Sequence, residues 1–201
     1  MPPPEACQGG LPLAAGLPKL DYPDRLIFDL DPSATNGFAL VRWTAREIKK
    51  LLEQLGLTSF VMTTGSRGVH VVVPLKRTQD FEQVRSFAHD VARYLVKKYP
   101  TKLTLEMSKA KRGKRVFLDV LRNAWSATSV VPYGVRDREG APIATPISWS
   151  ELGSVTSTKY TIKNIFARIS KKGDLWKHID KSATGLSVAR KKLNTLLAHK
   201  D

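Results

Sequence analysis

Hydrophobic and polar residues alternate over residues 25–31 (RLIFDLD), which is the pattern of a β-strand with one face on a core. Three apolar side chains share the predicted core face, while Asp29 and Asp31 point to the other face. Pro32 ends the strand, because proline has no backbone N–H to donate to a sheet. The pattern therefore predicts a half-buried strand that carries two carboxylates.

Further elements follow from the same kind of pattern. A capping box at residues 44–47 precedes apolar residues at helical spacing, which predicts a helix that begins near Thr44 and ends at Gly56. The other predicted elements are strands over 59–64 and 69–74, a helix over 81–98 and a strand over 115–121. The order β-α-β-β-α-β is typical of an α+β fold of the ferredoxin-like or RRM-like type.

This topology makes a geometric prediction. Its sheet runs in the order 4-1-3-2, with both helices on one face, so the first strand is central. We therefore expect four polar residues that are far apart in sequence to meet on the face without helices, namely Asp29, Asp31, His70 and Asp119.

The two ends of the chain depart from the pattern. Residues 1–20 are rich in Pro, Gly and Ala, which predicts a flexible leader. Residues 21–178 form the predicted main domain, with short helices expected after Ser148 and over about 160–169. A basic C-terminal helix is expected within 179–201, with its helical spacing starting near Ser187.

The net charge is strongly positive. The 201 residues include 33 Lys and Arg against 18 Asp and Glu, a formal net charge of +15. Such an excess indicates a polyanion partner, most often nucleic acid; the alternative is that it serves solubility alone. A single cysteine excludes an internal disulfide and a Cys-based zinc finger, and favours the reducing cytoplasm. No apolar run approaches the roughly 20 residues that span a bilayer, so no membrane partner is expected.

The paired carboxylates suggest metal chemistry. Two carboxylates at i and i+2, with a third on a neighbouring strand, can hold two divalent ions about 4 Å apart, and oxygen donors suit Mg²⁺ or Mn²⁺. Such ions activate an attacking 3′-hydroxyl and stabilise a leaving pyrophosphate. Most Asp-x-Asp pairs are solvated surface residues. What favours a metal site here is the predicted position of Asp29 and Asp31 on a central strand.

Residues 64–70 (TGSRGVH) form a second candidate, a turn between two predicted strands. Its glycines let backbone N–H groups approach phosphate oxygens, to which Ser66 and Arg67 can also donate hydrogen bonds. The alternative is an ordinary hairpin turn with an exposed arginine. The basic run over 109–115 and Arg136 are further candidate cations for a triphosphate or a nucleic-acid backbone; the alternative for the run is a solvated loop.

Four motifs occur in order: LIFDLDP (26–32), TGSRGVHVVVPL (64–75), KAKRGKRVFLDVLRN (109–123) and SATSVVPYGVRDREGAPIATPISWSEL (126–152). Together they resemble the polymerase domain of bacterial ligase D, of the archaeo-eukaryotic primase superfamily, over about residues 22–176. The resemblance implies a primase-polymerase domain over 21–178 that adds nucleotides, with ribonucleotides preferred, to DNA 3′ ends in non-homologous end joining. It implies two Mn²⁺ or Mg²⁺ ions as cofactors and NTP or dNTP as substrate.

The resemblance also assigns residues. Asp29, Asp31 and Asp119 match the catalytic, metal-binding carboxylates of the family. The positions that match its nucleotide-binding residues are Ser66, Arg67, Gly68, His70, Lys109, Arg112, Asn123 and Arg136.

The resemblance bears on partners as well. Family domains carry a long N-terminal portion before the first carboxylate pair, whereas about 20 residues precede Tyr22, so we expect that portion to be missing. We expect broken or gapped DNA ends, Ku and a separate ATP-dependent DNA ligase as partners, in a bacterial or archaeal nucleoid. Two other functions stay open: a non-catalytic nucleic-acid-binding module on the same fold, and a primase that starts chains de novo.

Overall fold

A computed structural model of the chain describes residues 20–33 and 37–198. The predicted leader therefore lies outside the described residues, apart from Leu20, and so does the last part of the predicted C-terminal helix. Within the described ranges, no helix combines the length and the apolar character needed to cross a membrane.

The strands form one sheet. They are β1 (Arg25–Asp31), β2 (Phe60–Thr63), β3 (Val69–Pro74), β4 (Leu103–Thr104), β5 (Val116–Asp119) and β6 (Thr145–Ile147). Their order in the sheet is β4-β5-β1-β3-β2-β6. The inner four, β5-β1-β3-β2, reproduce the predicted order 4-1-3-2, so the predicted ferredoxin-like α+β fold is confirmed.

The two edge strands were not predicted. β4 pairs in parallel with β5, and β6 pairs antiparallel with β2. β4 has only two residues, which is too short for an alternating pattern. β6 contains Pro146, which argues against a strand in a sequence but is tolerated at a sheet edge, where one side of the strand needs no partner.

Four α-helices complete the described part of the chain: α1 (Phe38–Gln54), α2 (Phe81–Lys98), α3 (Ile165–Lys172) and α4 (Ser187–Ala198). α2 has its predicted bounds. It begins with a capping box in which the Asp80 carboxylate accepts from the Gln83 N–H and the Gln83 side chain accepts from the Asp80 N–H.

The predicted start of α1 is wrong by two turns. The helix begins at Phe38, six residues before Thr44, and its N-cap residue Gly37 makes no side-chain cap. The Thr44 hydroxyl donates instead to the Leu40 carbonyl at 2.8 Å, within the helix. The motif at 44–47 was misleading because a Thr inside a helix can donate to the carbonyl four residues back, so Thr followed by Glu three residues later does not by itself mark a helix start.

The main core lies between the sheet and helices α1 and α2. Leu26, Phe28 and Leu30 of β1 are fully buried there, each worth about 2 kcal/mol of hydrophobic stabilisation. A smaller apolar cluster covers part of the opposite face, where Trp176 packs over Ile27 and Val72. The face away from α1 and α2 is therefore closed at one end of β1, and the carboxylates lie at the other end.

Candidate active site

Strand pairing brings three predicted site residues together. Asp29 of β1 is aligned with His70 of β3 on one side and with Asp119 of β5 on the other. Directly paired residues point to the same face of a sheet, so these side chains and Asp31, two residues further along β1, share the face opposite α1 and α2. This juxtaposition was predicted from sequence, and the structure confirms it.

Asp29 is contacted from both sides. Its Oδ1 lies 3.3 Å from Nε2 of His70, and its Oδ2 accepts a hydrogen bond of 3.4 Å from Nε of Arg122. The same Nε lies 3.6 Å from Oδ2 of Asp119. Oδ1 of Asp119 accepts from the Leu121 N–H at 2.8 Å. Arg122 therefore bridges the two carboxylates of neighbouring strands.

The carboxylates of β1 are in different electrostatic states. Burial raises the pKa of Asp29, but the hydrogen bond and charge of His70, with those of Arg122, outweigh it and leave that pKa below its usual value. Burial, followed by repulsion from Asp29, raises the pKa of Asp31, and the nearby charge of Arg112 offsets only part of this. The surroundings of Asp31 therefore disfavour its charged form, which an additional cation would stabilise.

The loop between β2 and β3 is held by its own hydrogen bonds. The Gly68 carbonyl accepts from the Thr64 hydroxyl at 3.1 Å and from the Ser157 hydroxyl at 2.7 Å. Gly65 has a φ of +66°, the left-handed region that favours glycine. Gly68 is needed for a different reason, because a Cβ there would lie 2.2 Å from the Leu30 carbonyl oxygen of β1. The loop is therefore pressed against the carboxylate strand.

Two adjoining clefts contain most of the predicted residues. The first has a volume of about 360 Å³, and six predicted residues line it: Asp29, Asp31, Ser66, Arg67, His70 and Arg136. The second has a volume of about 300 Å³, and its predicted lining residues are Asp31, Arg67, Lys109 and Arg112. Because Asp31 and Arg67 line both, the clefts meet at these two side chains.

Arg112 and Asn123 are largely used by the protein itself. The Arg112 guanidinium lies 3.8 Å from the Phe117 ring centroid and donates to the Glu106 and Met107 carbonyls, both at 2.9 Å. Asn123 is 3% exposed and lines neither cleft. Its side-chain amide accepts a hydrogen bond from the Ile27 N–H and donates one to the Ile27 carbonyl, each at 2.8 Å. Asn123 therefore holds the backbone of β1 and does not face the clefts. Its nucleotide-binding role stays a prediction that this position does not support.

Sequence reasoning missed several lining residues of the first cleft, chiefly Arg122 with Thr128 and Ser129. Arg122 follows Asp119 by three residues, a spacing typical of ion pairs in helical turns, and a one-turn 3₁₀ helix (Leu121–Asn123) does turn it back toward Asp119. That spacing was the available signal.

Oxygen ligands suit a hard divalent cation, and the three carboxylates Asp29, Asp31 and Asp119 lie on adjacent strands beside a polar cleft. Across residues 20–33 and 37–198, however, no three His, Cys, Asp or Glu side chains converge into a ready metal site. Asp119 faces Arg122 and the Leu121 N–H instead.

Comparison with known proteins identifies the family. The family model of the LigD primase-polymerase domain matches residues 11–176. The multifunctional end-joining protein LigD of Pseudomonas aeruginosa is 34% identical over 141 residues, covering 70% of this chain and 17% of that protein. LigD of Mycobacterium tuberculosis H37Rv is 33% identical over 159 residues, covering 79% of this chain and 21% of that protein. The chain thus spans about a fifth of the length of these curated relatives.

A solved structure agrees. The polymerase domain of Mycobacterium tuberculosis ligase D, in complex with DNA, is similar with a TM-score of 0.75 and 32% identity, over 81% of this chain and 56% of that one. The resemblance inferred from the four motifs is therefore confirmed, as is the α+β fold that it implies. The matched residues and the fold show that the chain belongs to the LigD primase-polymerase family, whose members are nucleotidyltransferases of the archaeo-eukaryotic primase type.

Proposed function

We propose that this chain is a primase-type polymerase that adds nucleotides to DNA 3′ ends in end-joining repair. The observation that carries the proposal is one polar cleft that contains both carboxylates and cations, with Asp29 and Asp31 facing Arg67 and Arg136. A nucleotidyl transfer needs both kinds of group, because it joins an anionic triphosphate to a hydroxyl that must lose a proton.

Asp29, Asp31 and Asp119 would hold the divalent ions, Mn²⁺ or Mg²⁺. When bound, two such ions lower the pKa of the attacking hydroxyl and neutralise the leaving pyrophosphate. The chain itself supplies the alignment, because β-pairing fixes Asp29 beside Asp119 and the buried residues of β1 keep both β1 carboxylates turned outward. His70, 3.3 Å from Asp29, holds that carboxylate in place.

The triphosphate would lie along the loop between β2 and β3. Ser66 and Arg67 line the same cleft as Asp29 and Asp31, and Arg136, which also lines it, lies against Gly65 of the loop. Lys109 and Arg112 extend the positive lining into the second cleft. An extended anion can therefore pass from the metal-binding carboxylates to a row of cations without leaving the clefts.

The finer assignments come from the family. We propose ribonucleotides as the preferred substrates and broken or gapped DNA as the acceptor. Ku and a separate ATP-dependent DNA ligase are the proposed partners, in the cytoplasm at the nucleoid. End joining and DNA are supported by the names of the relatives and by the similar solved domain in complex with DNA; the ribonucleotide preference, Ku and the ligase rest on the family resemblance alone.

The test is nucleotide addition to a primed DNA with a short gap, with each NTP or dNTP and with Mn²⁺ or Mg²⁺. We expect extension by the wild type and its loss, by about 100-fold or more, in Asp29→Asn and Asp119→Asn, because each change removes a metal-binding charge. Asp180→Asn is the matched control, since Asp180 is exposed and lines neither cleft.

Extension that persists in both Asp29→Asn and Asp119→Asn contradicts the proposed mechanism. DNA binding without any metal-dependent incorporation by the wild type favours the non-catalytic module. An arm with template but no primer separates extension from de novo priming, since only a primase forms product there.

A further inference from the structure

We propose that Arg122 is the resident counter-cation of Asp29 and Asp119, and that a divalent ion must displace it to bind these carboxylates. The inference rests on the proposed function of the cleft, but it concerns ion binding before any substrate is present. It assigns a competitive role to a residue that the sequence motifs left without one.

The position of Arg122 carries the inference. Its Nε lies 3.4 Å from Oδ2 of Asp29 and 3.6 Å from Oδ2 of Asp119, so one N–H group serves both carboxylates. Nη1 donates to the Thr128 carbonyl at 3.2 Å, which orients the guanidinium across the strands. The 3₁₀ turn Leu121–Asn123 directs the side chain back over the site.

The charge balance explains why a cation is needed there. Asp29 and Asp119 are 8% exposed each, and they are paired directly across β1 and β5. Carboxylates on directly paired residues repel each other when they are partly removed from water, and the charge of Arg122, beside both, offsets that repulsion. Among the described residues, the ion pair of His70 is with Asp29, whereas Arg122 lies beside both Asp29 and Asp119.

Arg122 can also leave. Its side chain is 38% exposed and lines the first cleft, where the guanidinium can turn toward solvent without disturbing the core. Asp29 and Asp119, the carboxylates that Arg122 contacts, would also hold an incoming divalent ion. Binding of the ion is then an exchange of one cation for another, and its affinity is lowered by the interaction that Arg122 gives up.

The experiment compares four proteins without nucleotide or DNA: wild type, Arg122→Gln, Arg122→Lys and Arg85→Gln. Arg85→Gln is the matched control, because it removes the same charge from α2, on the other side of the sheet. Free Mn²⁺ is followed by electron paramagnetic resonance during titration of the protein.

We expect Arg122→Gln to bind Mn²⁺ about tenfold more tightly than the wild type, the order expected for loss of a competing charge at about 4 Å in partly screened surroundings. Arg122→Lys keeps the charge and should stay within about threefold of the wild type, and Arg85→Gln should not change. Adding Asp29→Asn to Arg122→Gln should abolish the gain, which shows that the ion is at these carboxylates.

Thermal unfolding gives a second readout. Without metal, Arg122→Gln should unfold at a lower temperature than the wild type, because no charge at position 122 then offsets the repulsion between Asp29 and Asp119. Saturating Mn²⁺ should raise its midpoint more than that of the wild type.

Unchanged or weaker Mn²⁺ binding by Arg122→Gln overturns the inference and would mean that Arg122 serves only a substrate phosphate. Failure of the proposed function looks different. In that case Arg122→Gln binds Mn²⁺ more tightly as expected, yet the wild type incorporates no nucleotide. Incorporation by the wild type with no change in Mn²⁺ affinity would leave the function standing and the inference wrong.

Discussion

Asn123 shows at the scale of one residue how a side chain can serve a site without facing it. Its amide donates to the carbonyls of Ile27 and Val120 and accepts from the Ile27 N–H, all at 2.8 Å. It therefore joins the strand that carries the carboxylates to the turn that carries Arg122. A motif match alone does not distinguish such a fastening residue from a ligand-binding one.

Replacing Asn123 with alanine should destabilise the protein by about 3 kcal/mol, because the backbone groups of Ile27 would be left buried without partners. Urea unfolding measures the loss. Asn194→Ala, at an exposed position of α4, should change the stability by less than about 0.5 kcal/mol. Equal stabilities of the two variants would contradict the fastening role.

The same scale shows what sequence could and could not supply for the site. The alternation in β1 was sufficient to predict that Asp29 and Asp31 point away from the core. The predicted strand order then placed His70 and Asp119 beside them, and the observed pairing agrees. Arg122 lies in a 3₁₀ turn, where no periodicity indicates which way a side chain points. Its contact with Asp29 depends on a strand 93 positions away in sequence.

At the scale of elements, strong periodicity was a reliable guide and local motifs were not. The long strands and α2 were predicted within one or two residues at each end. The capping box at 44–47 gave a false start for α1, whereas the one at 148–151 is real: the Glu151 carboxylate accepts from the Ser148 N–H at 2.9 Å. Both have the same spacing, and only tertiary context decides between them.

Glu151 connects several elements and makes stability depend on pH. Burial raises the pKa of Glu151, but hydrogen bonds from Ser148 and Lys172 and the charge of Arg168 outweigh it and lower that pKa from 4.5 to about 2. A lowered pKa in the folded state means that the stabilisation is present above about pH 4.5 and is lost as the pH falls toward 2.

We expect Glu151→Gln to lose about 2 kcal/mol of stability at pH 7, because the ion pairs with Arg168 and Lys172 disappear. The difference from the wild type should narrow as the pH is lowered from about 5 to 2. Unfolding measured by circular dichroism at several pH values tests this. A difference that stays constant with pH would show that the charge of Glu151 is not what stabilises the fold.

At the scale of the whole molecule, a chain with a net charge of +15 contains a small acidic site. The carboxylates lie at the open end of β1, and the cations Arg67, Lys109 and Arg112 lie along the adjoining clefts. Composition alone predicted a polyanion partner. Composition could not predict which basic residues line the clefts and which lie elsewhere on the surface, because their positions depend on the order of strands in the sheet.

DNA binding should therefore weaken steeply with salt, by about 100-fold or more between roughly 50 and 200 mM, because displaced counterions drive the association. Lys109→Gln should reduce the slope of log affinity against log salt by about one unit. Lys191→Gln, on α4, should leave the slope unchanged. Fluorescence anisotropy with a labelled gapped DNA measures both slopes, and equal slopes for the two variants would contradict a DNA path beside the second cleft.

The alternation in β1 has a consequence for how this site can change over generations. Leu26, Phe28 and Leu30 are each 0% exposed, and the alternate positions of the strand carry Ile27, Asp29 and Asp31. An insertion or deletion of one residue within β1 would exchange the two sets, burying charge in the core and exposing the apolar side chains. Unless a bulge restored the register, such a change would strongly destabilise the fold, so gene variants alter the geometry of this candidate site more readily by substitution than by a shift along the strand.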